Sequence, residues 1–263
     1  MTPLRVRTAL VAAAIGLAAT LMQGCAGYWE TSGSGGRATE TVVHTVGSGE
    51  SLRSIADDYY GDPGAAAYLA EVNGVPEDVV LDEGSVIDVP VDPEDLDRYR
   101  ARTEAKSHYN RGTALAAAGD LPRSEEAFRR ALELDPRFVD AAYNLGVVLL
   151  ERGESNRAAV LLEQTSGVRP DDAEVRFAWG KALFECGRHA RAAEEFRTAV
   201  ALDPTMEDPA YALGLALLAA GKRQEGIVAL DGYLRRFPDG RWVTEARRRL
   251  TEMAAGPAPG DAQ

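Results

Sequence analysis

Between residues 105 and 240 the apolar positions of the chain fall three and four apart, and the pattern restarts every 34 residues. Pro136, Pro170, Pro204 and Pro238 mark the period. Gly112, Gly146, Gly180 and Gly214 recur in the first half of each unit, Gly119, Gly153, Gly187 and Gly221 at its middle, and Phe128, Leu162, Phe196 and Leu230 in its second half. In the second unit this spacing places Ala142, Leu145 and Leu149 on one face of a first helix and Ala158, Leu161 and Leu162 on one face of a second. The period predicts four helix hairpins, 105–138, 139–172, 173–206 and 207–240. A small residue such as Gly146 lets the two helices approach, Gly153 ends the first in a left-handed conformation, and Pro170 stops the second. A hairpin alone leaves its apolar face wet, so the four are expected to stack into a superhelix.

Upstream the pattern changes period. Thr41 to Val46 is β-branched and reads as a strand, and Gly47-Ser48-Gly49-Glu50 reads as a turn. Ser51 is placed to cap a helix carrying Leu52, Ile55, Ala56 and Tyr59; after a Gly61 to Gly64 break a second short helix, Ala65 to Val72, closes at Asn73-Gly74. Val86 to Pro90 restores a strand. Asp92-Pro93-Glu94-Asp95 is a helix-start signal, so 92–104 is expected to be a linker that runs as helix into the first repeat. Trp242, Ala246 and Leu250 mark a capping helix over 241–254, and the Pro/Gly-rich end, 255–263, reads as a frayed tail. The expected fold class is mainly α: an α-solenoid of four hairpins plus a small βααβ domain over 41–91.

The first residues read as an address rather than as fold. Arg5 and Arg7 precede an uncharged apolar run from Thr8 to Gln23, the form of an export signal over 1–24. Leu21-Met22-Gln23-Gly24-Cys25 resembles the bacterial lipobox, which implies that Cys25 is acylated and becomes the new N-terminus, with a membrane lipid anchor. The residue-level alternative is an uncleaved membrane helix from Thr8 to Trp29. Ala26, standing where inner-membrane lipoproteins carry Asp, implies the outer membrane facing the periplasm if the host is Gram-negative. Gly33, Gly35 and Gly36 among Ser and Thr make 25–40 a flexible linker.

Composition narrows the chemistry. The chain has 263 residues, 45% hydrophobic and 27% charged, with a formal net charge of −12 and no basic run interleaved with aromatics, so nucleic acid is a poor ligand. Two cysteines, Cys25 and Cys186, and three histidines, His44, His108 and His189, make neither a disulfide framework nor a metal-ligand cluster, and no metal or cofactor is expected. Gly-x-Ser-x-Gly, His-Glu-x-x-His and Gly-x-x-x-x-Gly-Lys motifs are all missing, so no catalytic residue is assigned and the chain is not read as an enzyme. Glu125-Glu126 and Glu194-Glu195 read as solvated helix faces, and Cys186 as a partly buried small residue.

Two segments carry family resemblances. Val43-His44-Thr45-Val46, Gly49-Glu50-Ser51-Leu52, Ser54-Ile55-Ala56, Asn73 and Glu83-Gly84-Ser85-Val86-Ile87-Asp88-Val89-Pro90 resemble, in order, the pieces of a LysM module. The resemblance implies binding of N-acetylglucosamine chains of peptidoglycan in a shallow groove between two loops. By position these supply Gly47, Ser48, Gly49, Glu50, Ser51 and Leu52 from one side and Val75, Asp82, Glu83 and Gly84 from the other. Asp140-Ala141-Ala142-Tyr143-Asn144-Leu145-Gly146 and Ala131-Leu132-Glu133-Leu134-Asp135-Pro136 resemble the tetratricopeptide repeat, which implies a concave groove for a protein partner. Tyr109, Tyr143, Phe177 and Tyr211 occupy equivalent places on that face, with Lys106, Asp140, Glu174 and Asp208 three residues earlier, and suggest a partner segment with apolar anchors and positive charge. The same aromatics belong to the family's own pattern and can equally be packing residues. The function expected is a non-enzymatic, lipid-anchored envelope scaffold that holds peptidoglycan and an envelope protein. The alternative is a membrane-to-wall tether in which the repeats are a spacer or self-association surface.

Overall fold

The computed structural model describes residues 40–254; the signal-like segment, Cys25, the linker up to residue 39 and the 255–263 tail lie outside the described residues. Two strands and eleven α-helices follow one another among the described residues. They are β1 (Glu40–Thr45), α1 (Leu52–Tyr60), α2 (Ala66–Asn73), β2 (Val86–Val91), α3 (Pro93–Ala117), α4 (Leu121–Leu134), α5 (Val139–Glu151), α6 (Ser155–Val168), α7 (Ala173–Glu185), α8 (His189–Leu202), α9 (Glu207–Ala219), α10 (Arg223–Arg236) and α11 (Val243–Ala254). The described residues form two compact units that divide between Thr103 and Glu104.

In the first unit β1 and β2 pair antiparallel, Val42 opposite Val89 and His44 opposite Ile87. Alternation along β2 sends Ile87, Val89 and Val91 inward, where they meet Leu52, Ile55, Ala56 and Tyr59 of α1 and Ala66, Leu69 and Ala70 of α2. Ser51 caps α1 in a reciprocal box with Ser54, satisfying two amides that the helix start would otherwise leave orphaned. Asn73 ties α2 to the sheet: its side-chain amide donates to Leu69 O at 2.8 Å and Asp88 O at 2.9 Å, and its oxygen accepts from Asp88 N at 2.8 Å. The stretch read as a linker turns out to complete this core. Leu96 and Tyr99 of α3 pack on it, Tyr99 stacks on Tyr59 at 3.8 Å, and Arg102 Nη1 donates to the α1 carbonyl of Asp57 at 2.6 Å.

The second unit is a stack of helix hairpins. Each turn between paired helices has a glycine at φ 74° to 77° (Gly119, Gly153, Gly187, Gly221), the left-handed conformation that ends the first helix. The glycines within the first helices allow contact with the second. A Cβ on Gly112 would lie 2.7 Å from the Phe128 ring, one on Gly146 2.7 Å from Leu162, one on Gly180 2.6 Å from the Phe196 ring, and one on Gly214 2.5 Å from Leu230. The buried stripe of α5 is Ala141, Leu145, Val148 and Leu149, one residue away from the stripe expected at its start, with Ala142 only half-buried. No helix among the described residues is long and apolar enough to cross a membrane.

Both acidic pairs depart in part from their sequence reading. Glu125 is buried, at 2% exposure, and not on a solvated face. Arg129 from its own helix, Arg152 from the turn after α5 and Arg157 of α6 at 3.2 Å all pair with its carboxylate. Glu195 likewise is half-buried and accepts from Arg176 at 2.9 Å. A charge can be withdrawn from water only when such partners replace its hydration.

Candidate functional site

The aromatic and carboxylate ladder lies on the first helix of each hairpin, and i, i+3 spacing sets each carboxylate beside its aromatic. The rungs are not equivalent. Tyr109 is half-buried, its ring 4.9 Å from Phe138 and 5.8 Å from Phe128, and its hydroxyl accepts from Asn144 Nδ2 at 3.1 Å. Tyr143 is half-buried, and burial, then the charges of Glu174 and Asp172, push its hydroxyl up to about 12. Phe177 packs on Phe196 at 5.8 Å and carries the Lys181 ammonium 5.9 Å from its ring centre.

Tyr211 is more enclosed than Tyr109, Tyr143 and Phe177. It is buried at 6% exposure, because Trp242 stacks on it with ring centres 5.0 Å apart and planes 8° from parallel. Trp242 Nε1 donates to Asp208 at 2.8 Å, and Arg241 grips the same carboxylate through two nitrogens. Burial raises the Asp208 pKa, but the hydrogen bonds from Arg241 and Trp242 outweigh it and leave the carboxyl below its ordinary value. Asp140 also has a partner, Arg169 at 2.6 Å, and Lys106 is exposed on α3. Glu174 is exposed, and among the described residues no ion pair includes its side chain.

The two loops expected to hold a glycan are brought together. Val46 N donates to Ser85 O and Gly84 N to Val46 O, each at 2.8 Å, so Gly47 and Gly84 leave the sheet side by side. Ser48, Gly49, Asp82, Glu83 and Gly84 are exposed and Val75 is half-buried. Two side chains of the first loop face elsewhere. Leu52 is in the core at 1% exposure, so only its backbone can face a ligand. Glu50 folds back over the turn, accepting from Gly47 N at 2.7 Å and meeting His44 Nε2 at 2.8 Å, which makes it a brace for the loop. Ser51 is engaged as the helix cap. Val80, 89% exposed, and the Arg53 to Glu77 pair at 3.4 Å stand beside these loops and were not singled out in the sequence, where neither has a motif. Among the described residues no group of His, Cys, Asp and Glu could hold a metal ion. Cys186 is a half-buried free thiol, and His189 packs against Phe184 at 4.9 Å.

Comparison with known proteins identifies the repeat class. Residues 96–176 match the family model of the middle TPR-like domain of cilia and flagella-associated protein 70, and residues 180–221 match the TPR repeat model. Among solved structures, MamA from Desulfovibrio magneticus RS-1 is 24% identical, covers 57% of this chain and 88% of its own, and superposes with a TM-score of 0.50. YrrB, described as a TPR protein with an unusual peptide-binding site, is 21% identical, covers 76% of this chain and 98% of its own, and reaches 0.52. A tetratricopeptide repeat protein from Parabacteroides merdae, 15% identical over 58% of this chain and 61% of its own, also gives 0.52. No curated protein matches the chain. The chain thus carries TPR-like repeats over the matched residues and a mainly helical, TPR-like solenoid fold, with a small two-stranded sheet near its N-terminus.

Proposed function

We propose that the protein is a non-enzymatic scaffold of the cell envelope: Cys25 carries a lipid anchor, the unit around residues 41–91 is a LysM module that holds peptidoglycan, and the repeats recruit an envelope protein. What supports the reading is that paired backbone-rich loops and a carboxylate and aromatic ladder on TPR-like repeats occur in one chain behind a lipobox-like cysteine. Joining sites in one chain raises the effective concentration of each ligand for the other, so a weak glycan contact suffices. Loops that present backbone amides and carbonyls suit the N-acetyl and hydroxyl groups of a sugar, and exposed Val80 offers an apolar surface to a ring face.

Co-sedimentation with isolated peptidoglycan sacculi tests the wall contact. The full chain is expected to pellet and a chain lacking residues 41–103 to stay in solution; equal pelleting refutes it. The deletion takes the whole first unit because Leu96 and Tyr99 belong to its core. Cys25→Ser is expected to move the protein out of the membrane fraction. A second reading, in which the repeats only space the anchor from the wall, is favoured by the engagement of Asp208 and Tyr211 by Arg241 and Trp242 and of Asp140 by Arg169. Crosslinking in cells separates the two: Tyr143→Ala with Phe177→Ala removes the partner of a scaffold and changes nothing in a spacer.

A further inference from the structure

The two edges of the small sheet are finished differently. In an antiparallel pair, opposite residues alternately bond each other and turn their N–H and C=O outward. Asp88 of β2 turns outward: its N–H donates to the Asn73 side chain at 2.8 Å and its carbonyl accepts from it at 2.9 Å. Pro90 has no N–H to offer, and its carbonyl accepts from the Tyr60 hydroxyl at 2.7 Å. The β2 edge is therefore closed. Thr41, Val43 and Thr45 of β1 stand opposite Pro90, Asp88 and Val86, so their N–H and C=O groups point out of the other edge. Among the described residues no hydrogen bond includes those groups, and the three side chains are exposed, Val43 at 62%. The usual guards of an open edge are missing there, since Thr41 to Thr45 includes no lysine, no proline and no acidic residue.

We propose that this edge pairs with the β1 edge of a second copy of the chain, about a two-fold axis at Val43, to make one four-stranded antiparallel sheet. The strand is nearly palindromic about that residue. Thr41 meets Thr45 of the second copy, Val43 meets its own counterpart, and Val42 meets His44, so every outward backbone group of Thr41, Val43 and Thr45 is satisfied at once and no two like charges face each other. The rest of the unit favours a second copy over a cationic strand: between residues 40 and 103 it has fifteen acidic side chains against four basic ones, yet the edge itself offers a cation no carboxylate. Two units of like charge repel, so salt strengthens this pairing, whereas it would weaken the capture of a cationic segment. Strands of six residues bury far less than the roughly 1,200–2,000 Å² of a stable complex, so the pair is weak and is best caught covalently. The two-fold axis sets the two Gly47 to Glu50 loops at opposite ends of the shared sheet. The pairing does not depend on what those loops or the repeats bind.

The test is disulfide trapping of the full chain in mild detergent under a mild oxidant, with the unsubstituted chain as the baseline for its own thiols. Across the axis the Val43 Cα atoms lie about 5.5 Å apart, within reach of a disulfide, whereas Thr45 lies about 14 Å from its counterpart. Val43→Cys is therefore expected to give a covalent dimer at least about fivefold faster than Thr45→Cys or the more exposed Val80→Cys, and faster still in high salt. Thr41→Cys with Thr45→Cys in one chain, whose positions meet across the axis, should also trap the dimer, and adding Val43→Glu should abolish it. This pair of substitutions carries the test if Val43→Cys alone lowers the unfolding midpoint. Trapping no faster at Val43 than at Val80, equal trapping by Thr45→Cys alone, or a rate that falls with salt overturns the proposal. So does a Val43 amide protected from hydrogen exchange in a chain that traps no dimer, because the edge is then paired within a single copy.

Discussion

Gly180→Ala and Gly232→Ala make the same chemical change in two helix interiors, and the structure assigns them opposite signs. In either helix, replacing glycine by alanine restricts the unfolded chain and contributes about 1 kcal/mol of stability. At Gly232 of α10 nothing lies within 4 Å of the new Cβ, so that gain stands alone. At Gly180 of α7 the methyl would lie 2.6 Å from Cδ1 and Cε1 of Phe196. That ring is 1% exposed and packed at a tilt against Phe177, so it has little room to swing aside. Forcing one methyl into such a core costs about 1–3 kcal/mol, which leaves Gly180→Ala neutral to about 2 kcal/mol destabilised. Because the propensity gain cancels, the difference between the two variants measures the clash. Urea unfolding followed by tryptophan fluorescence reads it, since Trp179 and Trp242 both lie in the second unit. In a Phe196→Ala background the clash disappears and Gly180→Ala should become stabilising, a coupling that a double-mutant cycle isolates. If Gly180→Ala proves as stable as Gly232→Ala, the close approach of the two helices is not what the glycine serves.

Three further outcomes follow from contacts already described. Glu125→Ala leaves Arg129, Arg152 and Arg157 facing one another; because these arginines are 32–49% exposed and can rehydrate in part, the loss is about 1–2 kcal/mol rather than that of a fully buried pair, and is read as a lower unfolding midpoint. Trp242→Ala takes the cover from Tyr211 and a donor from Asp208, so hydrogen exchange in α11 should speed up while that of α5 and α6 is unchanged; unaltered α11 protection would show that the helix is held by other contacts. The hydrogen bonds from Arg248 and Arg249 hold the Glu245 carboxyl at about 2, below its ordinary 4.5. A depressed carboxyl stabilises the fold above its unfolded pKa, so its contribution to α11 is complete above pH 4.5 and lost as the pH falls towards 2. Acid titration of α11 exchange should show that loss, and Glu245→Gln should remove it.

The repeats were legible in the sequence because they are periodic and because their glycines and prolines perform backbone tasks that few other residues can. Gly153 needs positive φ and Gly146 needs the absence of a Cβ, and both requirements are local enough to be written at fixed spacing. The strand, helix, helix, strand order of the first unit was legible for the same reason: the β-branched run, the Ser51 cap and the Asn73-Gly74 stop are local signals. Long-range contacts were not. Glu125 looks like any exposed helix acid until Arg152 and Arg157 arrive from the next hairpin, 27 and 32 residues on. Trp242 announced a capping helix through its spacing with Ala246, but nothing in that spacing told that its ring would land on Tyr211 and close a rung of the ladder. Glu50 and Leu52 were expected side by side in the glycan loop, yet only three-dimensional packing shows that Leu52 opens α1 with its side chain in the core and that Glu50 folds back over the turn.

Hairpins this similar could be assembled in the wrong order, and the buried carboxylate at the first seam acts as an address. The places equivalent to Glu125 in the later hairpins hold Ala159, Ala193 and Ile227. The places equivalent to Arg152 and Arg157 hold Cys186 and Arg191 in the third hairpin and Ala220 and Glu225 in the fourth. A first hairpin that skipped to the third would find one guanidinium in place of two, and one that skipped to the fourth would meet a second carboxylate. With only Arg129 of its own helix and at most one further guanidinium beside it, the buried carboxylate would lose part of its compensation, which disfavours the wrong order. The correct neighbour is thus favoured electrostatically at the first seam, whereas the later seams carry exposed pairs such as Arg191 with Glu163 and Arg197 with Glu225.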